Sequence, residues 1–181
     1  MSGKMGVRRT ADARHRMPST AVLNTRNLTM PNMFDEWRAD HESHRVLLAM
    51  IDSETDDERR LALFSHLARE LCVHMAIEER TLYARLAMSE EMRRRASHSI
   101  LEHQDIEELL ETLYAMDIDD PYWPRTFGVL RELIERHEAE EDESLFSYAA
   151  EAFDVDDAVL LRRSFMKERQ RIATETIRSP F

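Results

Sequence analysis

Residues 74–83 read HMAIEERTLY and residues 137–146 read HEAEEDESLF, so one pattern occurs twice in this chain. Each copy has a histidine, a glutamate four residues later, a second acidic residue directly after it, and an aromatic residue at the end. Residues four apart stand one turn above each other on the same face of an α-helix. Each copy therefore predicts a helix that presents one imidazole and one carboxylate to a common point.

A second doubled pattern lies upstream of each copy. Residues 41–48 read HESHRVLL and residues 103–110 read HQDIEELL. The offsets nearly agree, because His103 follows His41 by 62 positions and His137 follows His74 by 63. The chain therefore reads as two related helical hairpins.

The composition also favours helices. The 181 residues contain three glycines, and only one of them comes after position 6. Few glycines mean few tight turns, which argues against a β-sandwich, a β-barrel or a phosphate-binding loop. The charged fraction of 34% and the hydrophobic fraction of 43% are ordinary for a globular domain.

Apolar residues at spacings of three and four predict five helices after residue 30. Their predicted starts are a cap at Asn32, a capping box formed by Thr55 and Glu58, Ser89, a site at or near Asp120-Pro121, and Asp154. The fifth helix is expected to be shorter, with Val155, Val159 and Phe165 available to dock on the others. The predicted fold is an all-α, up-down-up-down four-helix bundle over residues 31–152, with an additional C-terminal helix and tail over 153–181.

The first 30 residues differ in charge from the rest. They carry six basic residues and one acid, a net charge of +5. Since the whole chain has a net charge of −11, residues 31–181 carry −16. We expect residues 1–30 to form a flexible basic tail through which a protein partner could bind. The acidic remainder argues against nucleic acid as a partner. It also argues against a membrane surface, and no run of about 18 apolar residues is present to span one.

The chain has a single cysteine, Cys72, which excludes an intrachain disulfide and fits a reducing compartment, so we expect a cytoplasmic protein. Cys72 lies about 200° round the helix from His74 and should face away from it. We interpret it as a small buried hydrophobic residue.

Six polar side chains fall within the apolar stripes, where burying an unpaired charge is expensive. They are His41, His74, Glu78, His103, His137 and Glu141. If the four helices pack around one axis and both glutamates bridge, each of two metal ions receives two imidazoles and two carboxylate oxygens. This donor set suits iron, and manganese and zinc are alternatives. Neither the Glu-x-x-His of ferritin-like bundles nor the His-Glu-x-x-His of zinc peptidases occurs.

This ordered set resembles the hemerythrin-like, HHE cation-binding family over roughly residues 32–150. In that family the first helix carries a histidine, the second His-x-x-x-Glu, the third a histidine and the fourth His-x-x-x-Glu or a close variant. The resemblance implies a four-helix bundle with two iron ions, joined by an oxo or hydroxo bridge, that interact with dioxygen, peroxide or nitric oxide.

One position departs from the family pattern. Oxygen-carrying hemerythrins have a fifth histidine four residues before the one that matches His103, and this chain has Ser99 there. The departure disfavours reversible oxygen carriage and favours a site that reacts with peroxide, including catalase-like or peroxidase-like turnover. The alternatives are an iron-, oxygen- or nitric-oxide-responsive module or an iron-handling protein without turnover, and a metal-free interaction bundle whose core histidines are hydrogen-bonded.

Five further residues are candidates for an extra ligand or for side chains that hold the ligands: His44, Glu79, Tyr83, His98 and Asp142. His44 takes the place that Ile106 has in the other hairpin, which favours a role in the core. Glu79 and Asp142 follow the two bridging glutamates and could accept the free N–H of a ligating imidazole. Tyr83 could donate a hydrogen bond or transfer an electron. We place His98 at the surface or beside the ligands.

Overall fold

The computed structural model describes residues 31–178, with side chains from 34 to 172. The predicted N-terminal tail, residues 1–30, lies outside this range. Five helices follow one another within it. They are α1 (Pro31–Ser53), α2 (Asp57–Glu78, then a π-helical turn Glu79–Tyr83, then Ala84–Leu86), α3 (Glu90–Ala115), α4 (Trp123–Glu140, then a π-helical turn Glu141–Leu145, then Phe146–Ala152) and α5 (Val155–Arg178). The predicted all-α bundle with an additional C-terminal helix is confirmed.

The helix starts agree with the predicted ones to within a few residues. Helix α1 begins at Pro31, one residue before the predicted cap. The cap of α2 is Asp56, not Thr55, because the Asp56 carboxylate accepts a hydrogen bond from the backbone N–H of Arg59 at 2.9 Å. Asp154 caps α5 as predicted, accepting from the N–H of Asp157 at 2.9 Å.

The bundle interior consists of two apolar layers with a polar layer between them. One apolar layer includes Leu48, Leu71, Leu110 and Ile134, and the other includes Trp37, Leu82, Met92 and Leu145. On every helix of the bundle one buried histidine, His41, His74, His103 or His137, lies between residues of the two layers. The four helices therefore bring their histidines to one level, inside a shell of hydrocarbon that keeps water away.

Helix α5 is longer than predicted, with 24 residues against 23 in α1. Its docking residues are Ala158, Leu161 and Phe165, all buried. The prediction that Val155 and Val159 dock is wrong, since both are exposed and lie off the stripe that Phe165 sets. The Phe165 ring packs edge-on against Trp37 with 5.1 Å between ring centroids.

Cys72 is exposed, so its interpretation as a buried residue is wrong. The geometry that turns Cys72 away from His74 also turns it away from the bundle interior, because the histidine marks the inward face of α2. Among the helices of residues 31–178, none has the length and apolar character needed to cross a bilayer.

Candidate metal centre

Four imidazoles and two carboxylates fill the polar layer. His41, Glu78 and His103 have no exposed surface, and the other three side chains are buried as well. Their donor atoms form two adjacent groups, each within a span of 4.8 Å. One group contains His41, His74, Glu78 and Glu141, and the other contains Glu78, His103 and His137. The structure thus brings together all six residues predicted to bind metal.

In the first group the imidazoles belong to α1 and α2. The Nε2 atoms of His41 and His74 are 3.2 Å apart. Glu78 Oε1 lies 3.2 Å from His74 Nε2, and Glu141 Oε2 lies 3.4 Å from His41 Nε2. Two nitrogens and two carboxylate oxygens therefore surround one point.

In the second group the imidazoles belong to α3 and α4. The Nε2 atoms of His103 and His137 are 3.0 Å apart. The other oxygen of Glu78, Oε2, lies 3.5 Å from His103 Nε2, and Glu141 Oε2 is 3.7 Å from His137 Nε2. Glu78 thus presents one oxygen to each group, which is the placement of a bridging carboxylate.

The outer nitrogen of each imidazole faces a carboxylate on another helix. The Nδ1 distances are 3.1 Å from His41 to Asp142, 3.6 Å from His74 to Asp40, 2.9 Å from His103 to Glu79 and 2.9 Å from His137 to Glu102. Each histidine therefore has its carboxylate on the helix that precedes it round the bundle. Such partners fix the ring orientation and the tautomer of metal-binding histidines.

These carboxylates determine which ring nitrogen carries the proton. An ionised carboxylate only accepts hydrogen bonds, so Nδ1 must carry the hydrogen and a neutral imidazole then has its lone pair on Nε2. Two Nε2 lone pairs that face each other at 3.0 Å, as in His103 and His137, repel unless a cation lies between or on them. The layer is therefore built to receive positive charge, as metal ions or as protons.

The pKa values express the same demand for positive charge. Burial alone would lower the pKa of His41, but the hydrogen bond to Asp142 and the nearby carboxylate of Glu141 outweigh it and raise the pKa to about 9. Burial is likewise outweighed at His103, where hydrogen bonds to Glu78 and Glu79 raise the pKa to about 9. Without a metal, these two imidazoles hold protons at neutral pH.

The donor set fits metal ions in spacing and in chemistry. Two nitrogens that bind one ion at about 2.1 Å, near a right angle to each other, are about 3 Å apart. The two Nε2 separations, 3.2 and 3.0 Å, match this value. Glu78 Oε1 and Glu141 Oε2 are buried without a hydrogen-bond partner, although buried carboxylate oxygens rarely lack one. Imidazole with carboxylate is a donor set that iron, manganese and zinc accept.

An aromatic ring from the end of each doubled pattern covers one histidine. Phe146 stacks on His41 with 5.8 Å between centroids, and Tyr83 packs on His103 at 5.3 Å. Tyr83 also points its hydroxyl at the site, donating to Glu141 Oε1 and lying 3.4 Å from Glu78 Oε2. Burial and the charges of these two glutamates raise the pKa of Tyr83 well above its usual value, so the hydroxyl stays protonated.

Ser99, at the place of the fifth histidine of oxygen carriers, is buried beside the Tyr83 hydroxyl. That hydroxyl lies 3.4 Å from His103 Nε2. A phenol from α2 thus occupies the side of the second group where α3 offers only a serine.

His44 does not join either group of donor atoms. Its Nδ1 is 2.7 Å from Glu138 Oε1, a buried pair, and its ring packs edge-on against His74 at 5.1 Å. His98 is exposed, with its Nε2 3.7 Å from Glu102 Oε1. His98, Glu102 and Glu140 come together at the surface, but Arg136 already supplies a positive charge to Glu102 at 3.0 Å.

Sequence reasoning identified Glu79 and Asp142 as candidate partners of the ligands but missed Asp40 and Glu102. A signal was present, because an acidic residue directly precedes the histidine in both upstream patterns. When one helix is considered alone, a position next to an inward histidine lies about 100° from the inward face and is predicted to face solvent. Only the neighbouring helix supplies the imidazole that each of these carboxylates meets.

Comparisons with known proteins agree with this geometry. The family described as Hemerythrin HHE cation binding domain matches residues 32–153. A similar solved structure is that of a hemerythrin HHE cation binding domain-containing protein from Mycobacterium kansasii, 19% identical, with a TM-score of 0.64 over 81% of this chain and 92% of that one. No curated protein sequence matches. The family match and the two groups of donor atoms support metal binding by this chain.

Proposed function

We propose that this chain, which belongs to the hemerythrin HHE cation-binding family, holds a pair of iron ions and reacts there with dioxygen or peroxide. The carrying observation is the position of Glu78, whose two oxygens lie 3.2 Å from His74 Nε2 and 3.5 Å from His103 Nε2. One carboxylate that faces two pairs of imidazoles suits two metal ions better than one. His41, His74, His103 and His137 would hold the pair, with Glu78 and Glu141 between them.

Burial limits the substrates to very small molecules. The donor atoms lie between two apolar layers, and His41 and His103 have no exposed surface. A molecule of two or four atoms can reach such a site through small fluctuations of the packing, whereas an organic substrate needs an open pocket. Dioxygen, peroxide and nitric oxide meet this limit.

Among these molecules, we favour peroxide as the substrate. In catalase-like turnover, two molecules of hydrogen peroxide give two molecules of water and one of dioxygen, so no other reductant is needed. Iron, when bound, supplies the change of oxidation state. The Tyr83 hydroxyl, which donates to Glu141 and lies 3.4 Å from His103 Nε2, keeps a proton beside the site.

The test combines metal analysis with oxygen evolution. Protein produced with ample iron should contain two iron ions per chain and release oxygen when hydrogen peroxide is added. Glu78→Gln keeps the size of the side chain but removes the charge, so both iron content and oxygen release should fall. His98→Ala, which removes an exposed histidine, is the matched control and should change neither. Iron-loaded protein without oxygen release, or a Glu78→Gln variant as active as wild type, would reject the catalytic proposal.

A melting experiment separates peroxide turnover from a regulatory or iron-handling role. Surface arginines reach several of the carboxylates behind the imidazoles; for example, Arg45 lies 2.9 Å from Asp142. Such contacts favour the second candidate, a responsive or iron-handling module, because a change at the metals can pass to the surface. Iron-loaded protein that melts at a higher temperature but leaves peroxide intact would support it. Equal melting temperatures with and without iron would argue against it.

A further inference from the structure

The two halves of the site differ in the carboxylate behind the second histidine. In the second half, Glu102 reaches His137 Nδ1 at 2.9 Å. In the first half the equivalent residue is Asp40, which is one methylene shorter and remains 3.6 Å from His74 Nδ1. A separation of 3.6 Å is too long for a hydrogen bond, and His74 Nδ1 is buried without a hydrogen-bond partner. His74 is therefore the less firmly held of the two imidazoles.

The arginines that bind Glu102 and Asp40 also come from different helices. Arg136, on α4 directly before His137, binds Glu102 at 3.0 Å. The position that matches Arg136 in the first hairpin, 63 residues earlier, is Val73, which cannot bind a carboxylate. Asp40 is bound instead by Arg169 of α5, whose Nη2 lies 3.2 Å from Asp40 Oδ1. The C-terminal helix thus supplies the contact that the first hairpin lacks.

Arg169 is held in place by three contacts. Its second guanidinium nitrogen, Nη1, donates to Glu36 Oε2 at 3.0 Å, so the planar fork spans two acidic residues one turn apart on α1. Its guanidinium carbon also lies 5.4 Å from the centroid of the Phe165 ring. Phe165 is buried against Trp37, which anchors this part of α5 to α1.

The charge of Arg169 also acts on Asp40. Its Nη2 lies 3.2 Å from Asp40 Oδ1, and a positive charge at this distance favours the ionised carboxylate. An ionised carboxylate accepts hydrogen bonds only, as a partner of His74 Nδ1–H must.

We infer that Arg169 is a positioning residue: through Asp40 it orients His74 and slows release of the metal held by His41 and His74. The inference rests on the proposed metal pair. Without Arg169, the half-buried Asp40 can turn towards water, and His74 Nδ1 loses the negative charge that it faces at 3.6 Å. The metal held by His103 and His137 depends on Arg136 and should not respond.

The experiment measures zinc release from the full chain loaded with two Zn²⁺ per chain, with a coloured chelator in excess. Two ions at unequal positions should leave in two kinetic phases. Loss of a residue that directly supports a ligating histidine weakens metal binding about 10- to 100-fold. Because Arg169 acts one step further out, through Asp40, Arg169→Gln should accelerate one phase by a smaller factor, about threefold to tenfold, and leave the other unchanged. Arg136→Gln should accelerate the other phase. Arg169→Lys, which keeps the charge but not the fork, should fall between wild type and Arg169→Gln.

A matched control separates positioning from docking of α5. Arg80→Gln removes the ion pair between α2 and α5, in which Arg80 Nη1 lies 3.6 Å from Glu168, but touches none of the carboxylates behind the imidazoles. It should release zinc like wild type. Equal release from wild type and Arg169→Gln, acceleration of both phases together, or the same acceleration in Arg80→Gln would overturn the inference. Wild-type protein that binds no zinc would overturn the metal pair itself, whereas normal zinc release without peroxide turnover would overturn only the proposed reaction.

Discussion

At the scale of single residues, the site depends on which atom of each imidazole faces inward. All four Nδ1 atoms face carboxylates on other helices, so all four Nε2 atoms face the interior. No helix completes its own ligand, because each supplies an imidazole to the centre and a carboxylate to the next helix. The ligand geometry is therefore a property of the assembled bundle.

Tyr83→Phe tests a hydroxyl directed at the two buried glutamates, Glu78 and Glu141. The substitution keeps the ring against His103 but leaves Glu141 Oε1 buried without its donor. A buried acceptor left unsatisfied costs about 1 to 3 kcal/mol. We expect the free energy of unfolding of metal-free Tyr83→Phe to be lower than that of wild type by this amount, so that the variant unfolds at a lower urea concentration. Tyr114→Phe, which removes an exposed hydroxyl, should leave the midpoint unchanged.

The substitution should also slow the reaction with peroxide if the hydroxyl supplies a proton beside the metals. Iron-loaded Tyr83→Phe should then release oxygen more slowly than wild type at equal iron content, measured by oxygen electrode. Wild-type stability and activity in Tyr83→Phe would mean that the hydroxyl serves neither purpose.

The sequence predicted the inward residues at this scale but not all of their partners. Spacing within one helix places His74 and Glu78 on one face, and doubling of the pattern selects His137 and Glu141 in the same way. Asp40 escaped this reasoning because its partner lies on α2, and helix periodicity carries no information about which neighbour a flanking residue meets.

At the scale of elements, two π-helical turns shape the site. They cover Glu79–Tyr83 and Glu141–Leu145, so each begins at or directly after a site glutamate. In a regular α-helix a residue five positions on lies about 140° away round the axis. The wider turn brings Tyr83 back to the face of Glu78, within 3.4 Å of Oε2. Nothing in the composition of these segments marks a π turn, and so the sequence left the role of Tyr83 open.

Phe165→Ala tests whether α5 is a structural part of the bundle. Phe165 is buried and meets Trp37 edge-on at 5.1 Å, so truncation removes a large side chain from the second apolar layer. Such truncations cost about 3 to 5 kcal/mol. We expect a loss of this size in urea unfolding of the full chain. The neighbouring exposed Met166 is the control, and Met166→Ala should change stability by less than about 0.5 kcal/mol.

An unchanged unfolding midpoint in Phe165→Ala would mean that α5 contributes little to the bundle. The sequence predicted the presence of this helix but not its docking face. Val155 and Val159 were as apolar as Phe165, and only the packing on Trp37 shows which side turns inward.

At the scale of the whole molecule, the polar layer makes the stability of the metal-free protein depend on pH. His41 and His103 have folded-state pKa values of about 9, whereas an unfolded histidine has a pKa of about 6.5. The folded protein therefore binds more protons than the unfolded chain between these values. The resulting stabilisation is complete below about pH 6.5 and is lost as pH rises through about 9.

Metal ions should remove this loss of stability, because they bind the deprotonated Nε2 atoms and replace the protons. We expect the unfolding free energy of metal-free protein, measured with urea, to fall between pH 6.5 and pH 9.5. Each of the two imidazoles contributes roughly 3 kcal/mol to this fall if they titrate independently. Zinc-loaded protein should not lose this stability, so the gap between the two forms should widen with pH. A metal-free protein as stable at pH 9.5 as at pH 6.5 would show that facing lone pairs do not oppose folding, and the electrostatic basis of the site would then be wrong.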